Sequence, residues 1–247
     1  MLTLGADSPT VLVFLPGFLA PPEAYRDLLL PVAAAGVHCH VPQLYPRGIT
    51  AALGRHSVQR EAEAAADLVR SLSAEGRSVW LAGHSRGGQA AWRAAALGAD
   101  NPGGPAGLIL VDPDDGAGPR STPTTTARPP GFDLAPCVIG AGLGGRCAPE
   151  ALNHAAFAAA SPPGTVHVVV DACGHGDMLC GRWRRVARAL CGGGPDPDVA
   201  RFLVSALMIA WIIDQGEFLA TLPDGVSGSR ERTGSTTFES VAPPFRD

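Results

Sequence analysis

The stretch Ser78-Val79-Trp80-Leu81-Ala82-Gly83-His84-Ser85-Arg86-Gly87-Gly88 decides the fold. A short apolar run enters a tight turn flanked by glycines, and an Ala-rich segment with helical character follows. Strand, turn and helix with a serine at the apex form a nucleophile elbow. The serine is held in a strained conformation, and side chains at positions 83 and 87 would collide with the neighbouring chain. Its hydroxyl then stands over the N-terminus of the next helix, where the dipole favours developing negative charge. A bare G-x-S-x-G pattern arises by chance in chains rich in Gly, Ala and Ser, so its weight comes from the flanking elements.

Outward from the elbow, strands and helices alternate. Val11 to Leu15 is an apolar run stopped by Pro16-Gly17, Glu23 to Ala35 has helical spacing up to Gly36, and Val37 to Val41 is a strand broken by Pro42. Val58 to Leu72 is an amphipathic helix with Arg60, Glu61, Glu63 and Arg70 off its apolar face. After the elbow helix come Gly107 to Val111, Cys137 to Gly140 and Val166 to Val170, and Asp198 to Ile213 supplies a closing helix. Runs apolar on both faces imply strands covered on both sides, which is the doubly wound, mostly parallel sheet of an α/β fold. Gly116 to Phe132 reads as a long connection over the strand ends, either a lid or a plain insertion.

The 247 residues suffice for one domain, expected over 1–223, with 224–247 a polar and poorly ordered tail. A net charge of −4 offers no basic surface for nucleic acid, and all 19 basic residues are arginine. The N-terminus has neither signal-peptide nor transit-peptide character, and Phe202 to Ile213 is shorter than the roughly 20 apolar residues a membrane helix needs, so a soluble protein with a buried closing helix is expected. Cys39 and Cys137 sit in apolar strands as core residues. A bridge among Cys147, Cys173, Cys180 and Cys191 is left open.

Ser85 needs a base, because its hydroxyl is a poor nucleophile until deprotonated. His175 follows the last parallel strand in Asp171-Ala172-Cys173-Gly174-His175-Gly176-Asp177, in the order Ser, Asp, His of α/β-hydrolases. His84 adjoins the serine, but neighbours in an elbow point apart. His154 is either a pocket residue or a satisfied buried histidine. The strand from Cys137 runs into Ala141-Gly142-Leu143 without a carboxylate, so the acid is assigned to Asp112 at the end of the preceding strand, with Asp115 in reserve and Asp171 fixing its loop. The oxyanion hole is assigned to the backbone N–H groups of Arg86 and of Phe18, because Pro16 cannot donate.

Beyond the elbow hexapeptide Gly83-His84-Ser85-Arg86-Gly87-Gly88, the chain resembles the chlorophyllases along several islands. These are Val41-Pro42-Gln43-Leu44-Tyr45, Val111-Asp112-Pro113-Asp114-Asp115-Gly116, Val138-Ile139-Gly140-Ala141-Gly142-Leu143-Gly144, Cys147-Ala148-Pro149, Asn153-His154 with Phe157, and Gly174-His175-Gly176-Asp177-Met178-Leu179. The resemblance implies Ser85, Asp112 and His175 as the triad, no metal or cofactor, and cleavage of the phytyl ester of chlorophyll. It favours Asp112 over Asp115. It also implies the chloroplast or cytoplasm of a photosynthetic organism. The chain departs from the family's pattern at Pro16-Gly17, where His-Gly is usual, at Cys180-Gly181, and in a short loop before Cys147. It starts almost at the Val11 strand, as a compact or trimmed version would.

A flat macrocycle joined to an isoprenoid alcohol calls for a wide apolar site. Leu19, Phe132, Leu143, His154, Phe157, Met178 and Leu179 are the expected lining. Arg182, Arg184, Arg185 and Arg188 with Trp183 are either a solvated helix face or a transient contact with a membrane surface. A carboxylesterase or lipase of the same fold, and a non-catalytic binder on a hydrolase scaffold, are the rival readings.

Overall fold

A computed structural model describes residues 1–45, 57–99, 103–116, 122–128, 130–214 and 225–230. In chain order the elements are β1 (Leu2–Leu4), β2 (Thr10–Leu15), α1 (Arg26–Ala34), β3 (His38–Val41), α2 (Val58–Ala74), β4 (Ser78–His84), α3 (Arg86–Gly98) and β5 (Gly107–Val111). Then follow β6 (Cys137–Ala141), α4 (His154–Ala160), β7 (Val166–Val170), α5 (Gly181–Cys191), α6 (Pro197–Asp214) and β8 (Val226–Arg230). Among the described residues the sheet runs β1-β3-β2-β4-β5-β6-β7-β8, with β3 through β7 parallel and the edge strands β1 and β8 antiparallel.

Alternation along the strands feeds two cores. In β2, Leu12 and Phe14 enter the layer built with α1 and α6, whereas Val11, Val13 and Leu15 enter the layer built with α2 and α3. Both faces of the central strands are therefore dry, which is why those strands read as unbroken apolar runs.

Several expectations need correction. The helix expected from Glu23 begins as a 3₁₀ turn, Pro22–Tyr25, and becomes α-helical only at Arg26. The tail expected from residue 224 contributes β8, whose Val226 is buried and whose backbone pairs with all of β7. The residues from 231 onward lie outside the described ones, as do 117–121 and 129 of the Gly116–Phe132 connection. The closing helix α6 buries Val204, Leu207, Met208 and Trp211, yet it leaves Phe202 and Ile213 more than half exposed, so it is a surface helix rather than a buried one. Among the described residues no helix is long and apolar enough to cross a membrane.

Candidate active site

The β4–α3 elbow is as tight as the glycines require. A Cβ at Gly83 would run into the Gly87 carbonyl, and one at Gly87 into the Leu15 carbonyl of the adjacent strand. Ser85 sits at φ 55°, ψ −126°, a conformation a non-glycine residue adopts only under constraint. The constraint is visible: the Ser85 N–H donates to the Val111 carbonyl at 3.1 Å, and its own carbonyl accepts from Gly88 and Gln89. Ser85 is half-buried.

Three strand ends then bring distant residues together. Ser85 Oγ lies 3.0 Å from His175 Nε2, and His175 Nδ1 lies 2.7 Å from Asp112 Oδ2. A carboxylate only accepts, so Nδ1 carries the proton and Nε2 is left to accept from the serine. The other Asp112 oxygen accepts from the Ala141 N–H at 3.1 Å. Burial pushes the Asp112 carboxyl up, but hydrogen bonding to His175, the His175 charge and the Ala141 N–H outweigh it and hold its pKa below the usual range.

Asp115, the reserve acid, is committed elsewhere. It accepts from the Gln89 side-chain amide and from the backbone N–H groups of Thr124, Thr125 and Thr126, which pins that loop to α3. Asp171 accepts from the Ser227 hydroxyl at 3.0 Å, so it fixes its strand end against β8.

The loop after β2 makes a turn in which Ala20 N–H donates to the Gly17 carbonyl, with Leu19 at φ 57°. Phe18 projects from it, 51% exposed, with the Arg86 guanidinium 5.3 Å from its ring centroid and the Tyr45 ring edge-on at 5.7 Å. Arg86 itself is held by a two-pronged bond to Glu61, at 2.9 and 3.0 Å. As the first residue of α3, Arg86 has an N–H without an intrahelical acceptor.

The expected lining residues divide. Leu143 is 54% exposed and adjoins Gly144, whose carbonyl accepts the His175 N–H. Leu19 is half-buried beside Phe18. Phe132 and Phe157 instead pack edge-on against Trp92 in the core beneath α3. Phe132 also borders a depression with Ala95, Gly98, Pro130 and Pro163, a set that contains none of Ser85, Asp112 and His175. Met178 and Leu179 belong to the opposite core. These four apolar residues follow strand ends in sequence, but their side chains turn inward and do not wall the site. His154 is buried over Gly140 and bonded to His167 at 2.8 Å, the satisfied-histidine alternative.

Two supports hold His175: the Asp177 carboxylate, which the sequence did not single out, and a disulfide drawn from the four cysteines left open above. Asp177, fully buried, accepts from Gly174 N–H at 2.8 Å and pairs with Arg188, which in turn donates to the Gly194 carbonyl. Cys147 and Cys191 form a disulfide. The remaining candidates, Cys173 and Cys180, are free. Arg188 thus works inside the molecule, Arg184 pairs with Asp198, and Arg182 lies over Trp183. The arginine cluster is not one solvated patch. His84 bonds the main chain of His175 rather than the serine hydroxyl, and burial together with the nearby His175 pushes its pKa down to about 3.

A mostly parallel sheet with its serine on the strand-to-helix elbow is the architecture of an α/β-hydrolase. Solved structures agree at the level of fold: a ferulic acid esterase from Streptomyces cinnamoneus (TM-score 0.63, 17% identity, covering 91% of this chain and 74% of that one) and a thioesterase of prodiginine biosynthesis from Streptomyces coelicolor (TM-score 0.50, 20% identity, 74% and 89%). Within that class the chain belongs to the chlorophyllase family, whose family model matches residues 6–218. Chlorophyllase-1 of Arabidopsis thaliana is 34% identical over 199 residues (72% of this chain), and chlorophyllase-2 is 28% identical over 238 residues (83% of this chain). The chain spans 61% of the length of the former and 73% of the latter.

Proposed function

We propose that the chain is a serine ester hydrolase that cleaves the phytyl ester of chlorophyll to chlorophyllide and phytol. The observation that carries this reading is the unbroken hydrogen-bond chain from Ser85 through His175 to Asp112. Family membership supports the choice of ester.

In the proposed reaction His175 Nε2 takes the Ser85 proton as Oγ attacks the ester carbonyl, and Asp112 stabilises the imidazolium that results. The N–H of Arg86 and that of Phe18 receive the oxyanion, each worth roughly 3 kcal/mol in the transition state. Collapse expels the phytyl alkoxide, which takes the proton from His175. Water, deprotonated by the same imidazole, then attacks the acyl-enzyme, releases the carboxylate product and restores the serine. Exposed Phe18 and Leu143 supply apolar contact for the substrate. Exposed Val186 and Leu190, one helical turn apart on α5 beside Arg182 and Arg185, supply a face for transient contact with a lipid or micelle surface.

A second reading, a carboxylesterase acting on other hydrophobic esters, gains support from the burial of Phe132, Phe157, Met178 and Leu179, which leaves fewer apolar walls than a pigment site calls for. Incubation with chlorophyll a in detergent and with short p-nitrophenyl esters, with Ser85→Ala as the blank, decides between them. Chlorophyllide formation supports the first reading; rapid ester hydrolysis without chlorophyllide supports the second. A native protein that neither turns over an ester nor labels with a fluorophosphonate is no serine hydrolase.

A further inference from the structure

Beneath the site a buried polar chain runs through two side chains the reaction above does not use. The Gly17 N–H donates to Tyr25 Oη at 2.9 Å, Tyr25 Oη lies 2.8 Å from His84 Nδ1, and His84 Nε2 lies 3.2 Å from the His175 carbonyl. The carbonyl can only accept, so Nε2 carries the hydrogen. The neutral ring must then accept at Nδ1, and the phenol supplies that proton while its lone pair receives Gly17. Every polar atom of the chain is satisfied in one arrangement only. Tyr25 and His84 are both buried, Tyr25 completely.

The chain has a consequence for geometry. Gly17 immediately precedes Phe18, His84 immediately precedes Ser85, and the carbonyl at the far end belongs to His175. One relay therefore ties together the loop of the second oxyanion donor, the nucleophile elbow and the backbone of the base. Parallel pairing of Leu15 with Gly83 brings the first two into register, and a Cβ on Gly17 would come within 3.0 Å of Tyr25 Oη and 3.3 Å of His84 Nδ1. The His84 and His175 rings also lie 4.7 Å apart, tilted by 36°. Two imidazoles at that distance cannot both be charged without repulsion, so a His84 kept neutral leaves His175 free to become the imidazolium. Tyr25, His175 and Asp112 are the titratable groups that act on His84. A buried hydroxyl and imidazole are costly unless bonded, and an apolar pair would fill the same space without that requirement.

We infer that Tyr25 and His84 are positioning residues, a neutral relay that sets the spacing between the oxyanion donor at Phe18 and the base His175. This rests on the serine-hydrolase reading and deepens it.

The test uses Tyr25→Phe, His84→Gln and the double variant of the full chain, each with thermal unfolding as a control. Glutamine offers an N–H where Nε2 stood but no acceptor where Nδ1 stood, so both single changes cut the relay on its Gly17 side. Expected is a fall in kcat for p-nitrophenyl butyrate on the order of 10- to 100-fold, with KM within about twofold, since small misplacements of reacting groups act on the transition state. A boronic acid, which forms a tetrahedral adduct on the serine, should lose affinity in step with kcat. The double variant should lose little more than either single, because both break one chain. Parent-like kcat and boronate affinity in either folded single variant, or fully additive losses, overturn the inference; if Tyr25→Phe does not fold, His84→Gln alone decides. Failure of the parent itself to label with a fluorophosphonate removes the hydrolase reading, and the relay with it.

Discussion

Three carboxylates within four positions, Asp112, Asp114 and Asp115, meet three different environments. Asp112 faces an imidazole, so Asp112→Asn keeps the shape but fixes the wrong tautomer of His175, and kcat should fall by about 10⁴-fold. Asp115→Asn, which touches only the threonine loop and Gln89, should lose stability while kcat stays near the parent value; equal losses of activity in the two variants would contradict the assignment. Asp114 is the odd one. It is 4% exposed with one carboxyl oxygen unbonded among the described residues, and burial pushes its pKa up to about 7. A carboxyl raised in the folded state holds its proton there after the unfolded chain has released it, so stability falls as pH rises from about 4 to 7. Asp114→Asn should therefore raise the melting temperature at pH 8, by roughly 2–4 °C per kcal/mol recovered, with the gain fading toward pH 4 in a calorimetric series. The hydrogen-bonded trio of the proposed reaction, Ser85, His175 and Asp112, was legible because each sits in a short motif at a strand end. Phe157 and Met178 were not: an apolar residue beside a site and one turned into the core look alike until the helix that carries it is oriented.

Elements were legible where one signal dominated. The parallel strands announced themselves as apolar runs, and the elbow as glycines. The edge strands gave no such signal: β1 spans three residues, and β8 lies in a polar stretch whose partner, β7, is distant in sequence. The helix α5 was visible only as an arginine cluster, because none of its residues is fully buried, and Arg188 and Cys191 are among its tethers, beside Trp183 and Ala187 packed on the core. Those tethers matter to the site. The segment before Cys147 accepts the His175 N–H at Gly144, and Gly192, just after Cys191, accepts the Gly176 N–H. The disulfide thus joins the two segments that brace His175 from either side. Reduction, or Cys147→Ser with Cys191→Ser, frees a loop of 44 residues and should cost about 4 kcal/mol of stability on the chain-entropy estimate. Because the braces carry His175, kcat should fall in the still-folded reduced protein as well. Full activity after verified thiol titration of the Cys147 and Cys191 sulfurs would show that the 174–177 turn stands without the bridge.

At the scale of the whole molecule the parallel sheet sets both chemistry and pH response. It gathers at one edge groups as far apart as Ser85 and His175, 90 residues distant, and it does so by burying polar side chains between strand ends and helices. Several of those are histidines kept neutral. Burial and the neighbouring His175 hold His84 near 3, and burial with the adjacent His154 holds His167 at about 4. His154 and His40 are lowered in the same direction, mainly by burial. An unfolded chain takes up these protons from about pH 6.5 downward, whereas in the folded protein His84 and His167 do so only near 3 to 4 and His154 and His40 below their ordinary range, so each group contributes stability that is lost as pH falls below about 6.5. Asp114 acts with the opposite sign over nearly the same range, and Asp112 and Asp115, both lowered, add their loss only below about pH 4. The histidines outnumber the one opposing carboxyl, so a net uptake of about one to two protons on unfolding is expected between pH 6.5 and 4. That corresponds to a slope of roughly 1.4–2.7 kcal/mol per pH unit. Denaturant midpoints taken from pH 8 to pH 4 should stay nearly level above pH 7 and then drop. Asp114→Asn should steepen the drop by removing the compensating group. A midpoint that holds or climbs from pH 6.5 to 5 would mean that the buried imidazoles, the His84 relay included, are not neutral in the way their hydrogen bonds require.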